Sequence, residues 1–122
     1  MYRLGELKRE ELKEAVDAAM TVLHPSARER MGEMRALILG ATGTDPFSSR
    51  SRKREAVCWR QCVWKLMRDE GYGPVEIASA CDNGYSYSTV IVGAGKIRDY
   101  LSTGDRMAVE TWRDFLAIME GK

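Results

Sequence analysis

Residues 74–101 read PVEIASACDNGYSYSTVIVGAGKIRDYL. A short apolar segment (Val75, Ile77, Ala78) meets a polar turn at Asp82-Asn83-Gly84, and a longer helix then opens on Ser86-Tyr87-Ser88-Thr89. Pro74 suits the first turn of the short helix, predicted to reach about Ala80, because its missing amide hydrogen costs nothing there. Asp, Asn and Gly supply turn chemistry, and Ser86 is a residue type that caps a helix. Short helix, tight polar connection and longer helix together form the sequence pattern of a helix-turn-helix, whose second helix can enter a DNA groove. Just upstream stands the only strongly basic run, Arg50-Ser51-Arg52-Lys53-Arg54. A probe helix beside a cationic clamp suits duplex DNA.

Working outward, the rest of the chain also reads helical. Glu6 to about Leu23 places Leu7, Leu12, Ala15, Val16, Ala19, Met20 and Leu23 near one face, with charges on the other. Pro25 interrupts, and Ser26-x-x-Glu29 makes a capping box for a second helix through Met31, Met34, Leu37 and Ile38, stopping at Gly40. Ala41 to Arg50 has loop composition, with Phe47 as its anchor into the core. A third helix is expected from near Ser51 to Glu70, with Ala56, Trp59, Val63, Leu66 and Met67 as its inner stripe. In the penultimate helix, ending near Leu101, Val90, Ala94, Ile97 and Leu101 should pack inward, leaving Tyr87, Ser88, Ile91, Val92 and Gly95 outward or at the margins. Gly93 and Gly95 inside that helix each cost roughly 1 kcal/mol relative to alanine, which points to a close backbone approach. The approaching partner is a neighbouring helix or a sugar-phosphate chain, and helix packing is the better fit for Gly93. A last helix starts at Asp105 and carries Met107, Ala108, Trp112, Phe115, Leu116 and Met119. The expected fold is all-α: one compact helical domain of about six helices with a helix-turn-helix. It divides into an N-terminal helical pair over 1–40, a helix-turn-helix region over 41–101 and a C-terminal helix over 102–122.

At 122 residues the chain can bury one core, not two independent ones. Hydrophobic residues at 44% and charged residues at 30% fit a folded domain rather than a disordered one. No apolar run approaches the roughly 18 residues needed to cross a bilayer, and the opening MYRLGELKREELKEAV is not a secretory signal. A cytoplasmic, nucleoid-associated location follows as the expectation, with no membrane partner. The net charge is only +1, but residues 50–60 carry Arg50, Arg52, Lys53, Arg54 and Arg60 against Glu55 alone. That cluster is +4 on a remainder of −3, a distribution that steers an anionic partner to one face. The bland alternative is a solvated loop that happens to be basic. Cys58, Cys62 and Cys81 form no disulfide framework. With His24 they could be imagined around zinc, but no CxxC pair supports it, and buried cysteines commonly act as small hydrophobes. His24 is the only histidine, so neither a triad nor a metal cluster can be built on it. No enzyme activity, metal or cofactor is expected.

The run from Ser51 to Leu101 resembles the C-terminal DNA-binding domain of the bacterial replication initiator DnaA, of the Trp-repressor-like helix-turn-helix group. The matching residues are Ser51-Arg52, Arg60-Gln61 in the long helix, Glu76-Ile77 in the short one, and Ser88-Thr89-Val90 with Lys96-Ile97 in the probe helix. More loosely, Met34 to Ser48 is similar to the helix and loop that precede the basic segment in that family. The resemblance implies that Arg52 or a neighbour enters the minor groove, that Arg60 and Gln61 hold phosphate, and that Tyr87, Ser88 and Thr89 read bases in the major groove. This chain has Ser86-Tyr87-Ser88-Thr89 where the family pattern is Asp-His-Thr-Thr, and its turn carries an additional step at Asn83-Gly84-Tyr85. Serine keeps the N-cap, while tyrosine changes the donor geometry. Binding to duplex DNA is thus implied, rather than recognition of the initiator's own box. A phosphate loop would need GxxxxGK followed by Ser or Thr. Gly93-Ala94-Gly95-Lys96-Ile97 lacks both the leading glycine and the hydroxyl residue, so no nucleotide is expected.

Two functions compete on this sequence. The first is a double-stranded DNA-binding protein acting in replication or transcription. Arg50, Arg52, Lys53, Arg54 and Arg60 would grip phosphate beside Gln61 and Lys96, and Ser86, Tyr87, Ser88 and Thr89 would supply the base-reading end. Four or five neutralised phosphates give an expected slope near about −4 in log affinity against log salt. The second is a protein-interaction module on a helix-turn-helix scaffold, supported by the near-neutral net charge and by Ile91 and Val92. Glu6–Leu23 could offer a homodimer or partner surface in either case, or simply cover the core.

Overall fold

A computed structural model describes residues 24–48, 50–81 and 84–121. Every regular element among them is a helix. They are α1 (Ala27–Thr42), α2 (Arg54–Asp69), α3 (Pro74–Ala80), α4 (Tyr87–Thr103) and α5 (Arg106–Glu120). The expected helix from Glu6 to Leu23 lies outside the described residues.

The helix starts follow from their caps. Ser26 Oγ accepts the Glu29 amide at 3.2 Å, opening α1 where the capping box was expected. Gly73 donates its amide to Glu76 Oε1 at 3.1 Å, and Pro74 occupies the first turn of α3. Ser86 Oγ accepts the Thr89 amide at 3.2 Å at the start of α4. Each cap satisfies an amide that the first turn of a helix otherwise leaves without a partner. Two boundaries differ from expectation. α1 continues through Gly40 to Thr42, because Gly43, at φ 79°, supplies the left-handed residue that ends it and sends its amide back to the Leu39 carbonyl. α2 starts at Arg54 rather than near Ser51, because Ser51 Oγ accepts the Lys53 amide at 3.3 Å in a turn of its own.

α2 is the axis of the domain: it packs against α1, α3, α4 and α5, most extensively against α4. This central position corrects the expected inner stripe. Ala56, Trp59 and Leu66 are only half-buried, whereas Cys58 and the unbroken run Arg60, Gln61, Cys62, Val63 and Trp64 are buried together with Met67. Val63 and Met67 of the expected stripe are buried, but a helix covered on several sides has no single inward face, so one-face periodicity misses Cys58, Arg60, Gln61, Cys62 and Trp64. Met31, Met34 and Ile38 from α1, Ile77 from α3, Val90 and Ile97 from α4 and Phe115 from α5 complete the core.

The 43–48 loop is pinned by ion pairing and an aromatic anchor. Arg35 holds Asp45 through Nε at 3.0–3.1 Å and Nη2 at 2.8 Å, and Asp45 Oδ1 accepts the Phe47 amide at 2.9 Å. Phe47 is fully buried, its ring 6.0 Å from that of Trp64. The anchor expected from sequence is therefore in place. His24 stacks on Tyr72 with centroids 4.3 Å apart. Cys58 and Cys62 are inside the core, where the thiol–thiol hydrogen bond and burial push the Cys62 thiol upward, keeping it neutral. Among the described residues no three His, Cys, Asp or Glu side chains converge as a metal site requires.

Asp105 joins two functions at the far end. Its carboxylate caps α5 through the Ala108 amide at 3.0 Å and pairs with Arg54 Nη2 at 2.6 Å, tying the start of α2 to the start of α5. The hydrogen bond from Arg54, and then that from the Ala108 amide, hold this carboxyl below its ordinary value of 3.8. A depressed carboxyl stabilises the fold above its unfolded-state pKa, and that contribution disappears as pH falls through the folded-state value. Asparagine caps nearly as well as aspartate but carries no charge. Asp105→Asn is therefore expected to lower the urea midpoint at neutral pH, and the gap to the wild type should close in strong acid. A gap of constant size throughout would show that the ion pair contributes nothing.

Candidate nucleic-acid interface

The basic segment reaches the probe helix across the face of α2. Arg50, Ser51 and Arg52 form one wall of a groove, and Ser88, Thr89, Val92, Gly93 and Lys96 of α4 form the other. Val57, Arg60, Gln61 and Trp64 of α2 make the floor, with Tyr85 at one end. The enclosed space is about 670 Å³. Four cationic side chains line it, and no carboxylate does so among the described residues. In a chain with 18 acidic residues against 19 basic ones, that exclusion makes the groove a local positive well.

What builds this groove is close helix packing at Gly93. A Cβ on Gly93 would stand 2.6 Å from Trp64 Cε3, closer than side chains approach. Glycine lets α4 settle against α2, which answers the choice left open by the sequence in favour of a helix. Gly95 meets only Arg98 Nη2, at 3.9 Å, so no neighbouring helix explains it. Tyr85 packs edge-on to Trp64 with centroids 5.3 Å apart, and the Arg50 guanidinium lies over its ring at 4.7 Å. Trp64, Tyr85, Val57, Val92 and Gly93 were not among the site residues expected from sequence. A glycine in mid-helix was the one local sign of them.

The expected residues do not all meet here. Arg52 and Lys96 are exposed on opposite walls and have no acidic partner among the described residues. They also border a second, smaller recess of about 230 Å³ with Arg54 and Tyr100, so positive charge continues along the flank of α4. Ser88 and Thr89 lie in the groove, and Ser86 is exposed beside it with its hydroxyl engaged as the cap. Tyr87 is 55% exposed but stands outside the groove lining. Four expected residues stand apart from the groove walls. Lys53 lines a separate recess with Asp45 and Glu55. Arg54 is held by Asp105 at the margin. Arg60 is 4% exposed and Gln61 6%, so neither is a surface grip for phosphate. Arg60 Nη1 donates to the Pro46 carbonyl at 3.1 Å and Nη2 to the Ser51 carbonyl, which makes it the internal brace of the basic segment. Burial explains the change, because a guanidinium taken out of water needs fixed acceptors.

No helix among the described residues is long and apolar enough to cross a membrane. Comparison with protein-family models, curated proteins and solved structures finds no match.

Proposed function

We propose that the protein binds double-stranded DNA, with α3 and α4 acting as a helix-turn-helix and the groove walls gripping the backbone. The observation that carries this is a groove lined by no carboxylate among the described residues, with exposed Arg52 and Lys96 on opposite walls beside the start of α4. Duplex DNA offers regularly spaced phosphates to such a pair and base edges to the helix between them. The first turn of α4 also carries no acidic residue, so the positive end of its dipole is unopposed. The resemblance to the DnaA DNA-binding domain runs in the same direction and makes a role in replication or transcription the natural setting.

The corrected geometry changes the expected salt dependence. With Arg54 paired to Asp105 and Arg60 buried, Arg52 and Lys96 are the cations counted for phosphate, so the slope of log affinity against log salt should be about −2. The test is titration of a labelled random-sequence duplex at low salt, repeated as salt is raised. Micromolar binding that weakens with that slope is expected, and silence at low salt would sink the proposal. One observation favours a second function: Ile91 and Val92 are 47% and 54% exposed, as they would be on a protein-docking surface. Silence with DNA would leave that function standing.

A further inference from the structure

We propose that the outward face of α4 reads thymine through its 5-methyl group, with Ile91 and Val92 as the specificity-determining residues. This rests on the DNA-binding function proposed above. Val90, Gly93 and Ile97 are buried against the core, which fixes the opposite side of α4 as the solvent face. Over its first three turns the exposed residues are Tyr87, Ser88, Thr89, Ile91, Val92 and Lys96. Lys96 is the one charged side chain among them, and none is a guanidinium, carboxamide or carboxylate. Guanine is read by bidentate Arg or Lys, adenine by Asn or Gln, and cytosine by Asp or Glu. Side chains that read adenine and cytosine are therefore missing where the helix would meet the groove, and Lys96 is assigned to phosphate in the function proposed above. What remains is two exposed branched aliphatic side chains and a few hydroxyls. The thymine methyl is the apolar feature of the major groove, and apolar contact is how it is recognised.

Placement supports the same conclusion. Val92 itself lines the cationic groove with Ser88, Thr89 and Lys96, so phosphate held by Lys96 and Arg52 would bring base edges to Val92. Gly95 follows one turn later, where a Cβ would meet only the exposed Arg98 side chain, at 3.9 Å from Nη2. Lys96 is exposed on the groove wall. Arg98, seven residues beyond Ile91, is paired with Asp99 at 3.7 Å, its Nη2 lying beside Gly95.

The test compares a short alternating dA·dT duplex with the same duplex made with deoxyuridine, which keeps base pairing and removes only the methyl. A parallel pair compares a dG·dC duplex with its 5-methylcytosine form, which places a methyl at the same position of the major groove. Affinity should fall about fourfold for each contacted methyl lost, the equivalent of leaving one buried CH₂ group unpartnered, and rise on cytosine methylation. In the Ile91→Ala/Val92→Ala double variant both differences should vanish while salt-dependent binding persists. Both side chains are exposed, so the variant is expected to fold. Equal affinity of the wild type for the thymine and uracil duplexes overturns the inference and leaves DNA binding intact. Failure to bind any of the four duplexes at low salt overturns both.

Discussion

Gly93→Ala is expected to lower the stability of the domain, by up to about 2 kcal/mol, although alanine is the better helix former. Removing a mid-helix glycine favours the helix by about 1 kcal/mol. Against that, the new methyl would stand 2.6 and 2.7 Å from two ring carbons of Trp64. Overpacking of this kind costs about 1–3 kcal/mol when the neighbour cannot move aside. Trp64 cannot do so, being 3% exposed and hemmed by Phe47 at 6.0 Å and Tyr85 at 5.3 Å between ring centroids. Moving α4 outward instead would open the groove wall that carries Ser88, Thr89 and Lys96. Gly95→Ala is the matched control. Its methyl meets only Arg98 Nη2 at 3.9 Å, so it should stabilise by up to about 1 kcal/mol. Urea unfolding of the two variants side by side checks the sign as well as the size. A Gly93→Ala protein as stable as the wild type would mean that α4 does not depend on this approach.

The contrast between the two glycines shows what was legible in the sequence. Helix starts at Ser26, Pro74, Ser86 and Asp105 were readable because a cap is a local event, decided by one side chain and the amide three residues on. The end of α1 was not, since Gly40 and Gly43 are equal candidates until the chain chooses which adopts positive φ. The shared surface of the basic segment and the start of α4 was foreseeable from their order along the chain. The fate of individual arginines was not. Arg54 meets Asp105 across 51 residues, and Arg60 meets Pro46 across 14, so composition alone makes a surface ion pair and a buried brace look like two more phosphate contacts. The groove floor was hidden for the same reason, because Trp64 and Tyr85 come together only when α2 and α4 pack.

Arg60→Met should separate bracing from phosphate contact, with Arg52→Ala as its counterpart. The Arg60 guanidinium donates to the Pro46 and Ser51 carbonyls and lies 5.8 Å from the centre of the Tyr85 ring. Methionine retains much of the stem but supplies no donor, leaving both carbonyls without it in a largely buried place. Hydrogen bonds from a charged group contribute about 1.5–3 kcal/mol each, so losing the two is expected to cost at least about 3 kcal/mol on thermal or urea unfolding. Arg50 and Arg52 would then be held less firmly, and on the proposed function DNA affinity should fall. Because no phosphate contact is removed, the slope against log salt should stay the same. Arg52→Ala should do the reverse: unfolding within about 0.5 kcal/mol of the wild type, since the side chain is exposed, and a salt slope shallower by about 1. If Arg60→Met instead flattened the salt slope without loss of stability, Arg60 would be a phosphate contact after all, as the DnaA resemblance implies. The brace would then have to rearrange on binding, turning a buried guanidinium outward to the duplex.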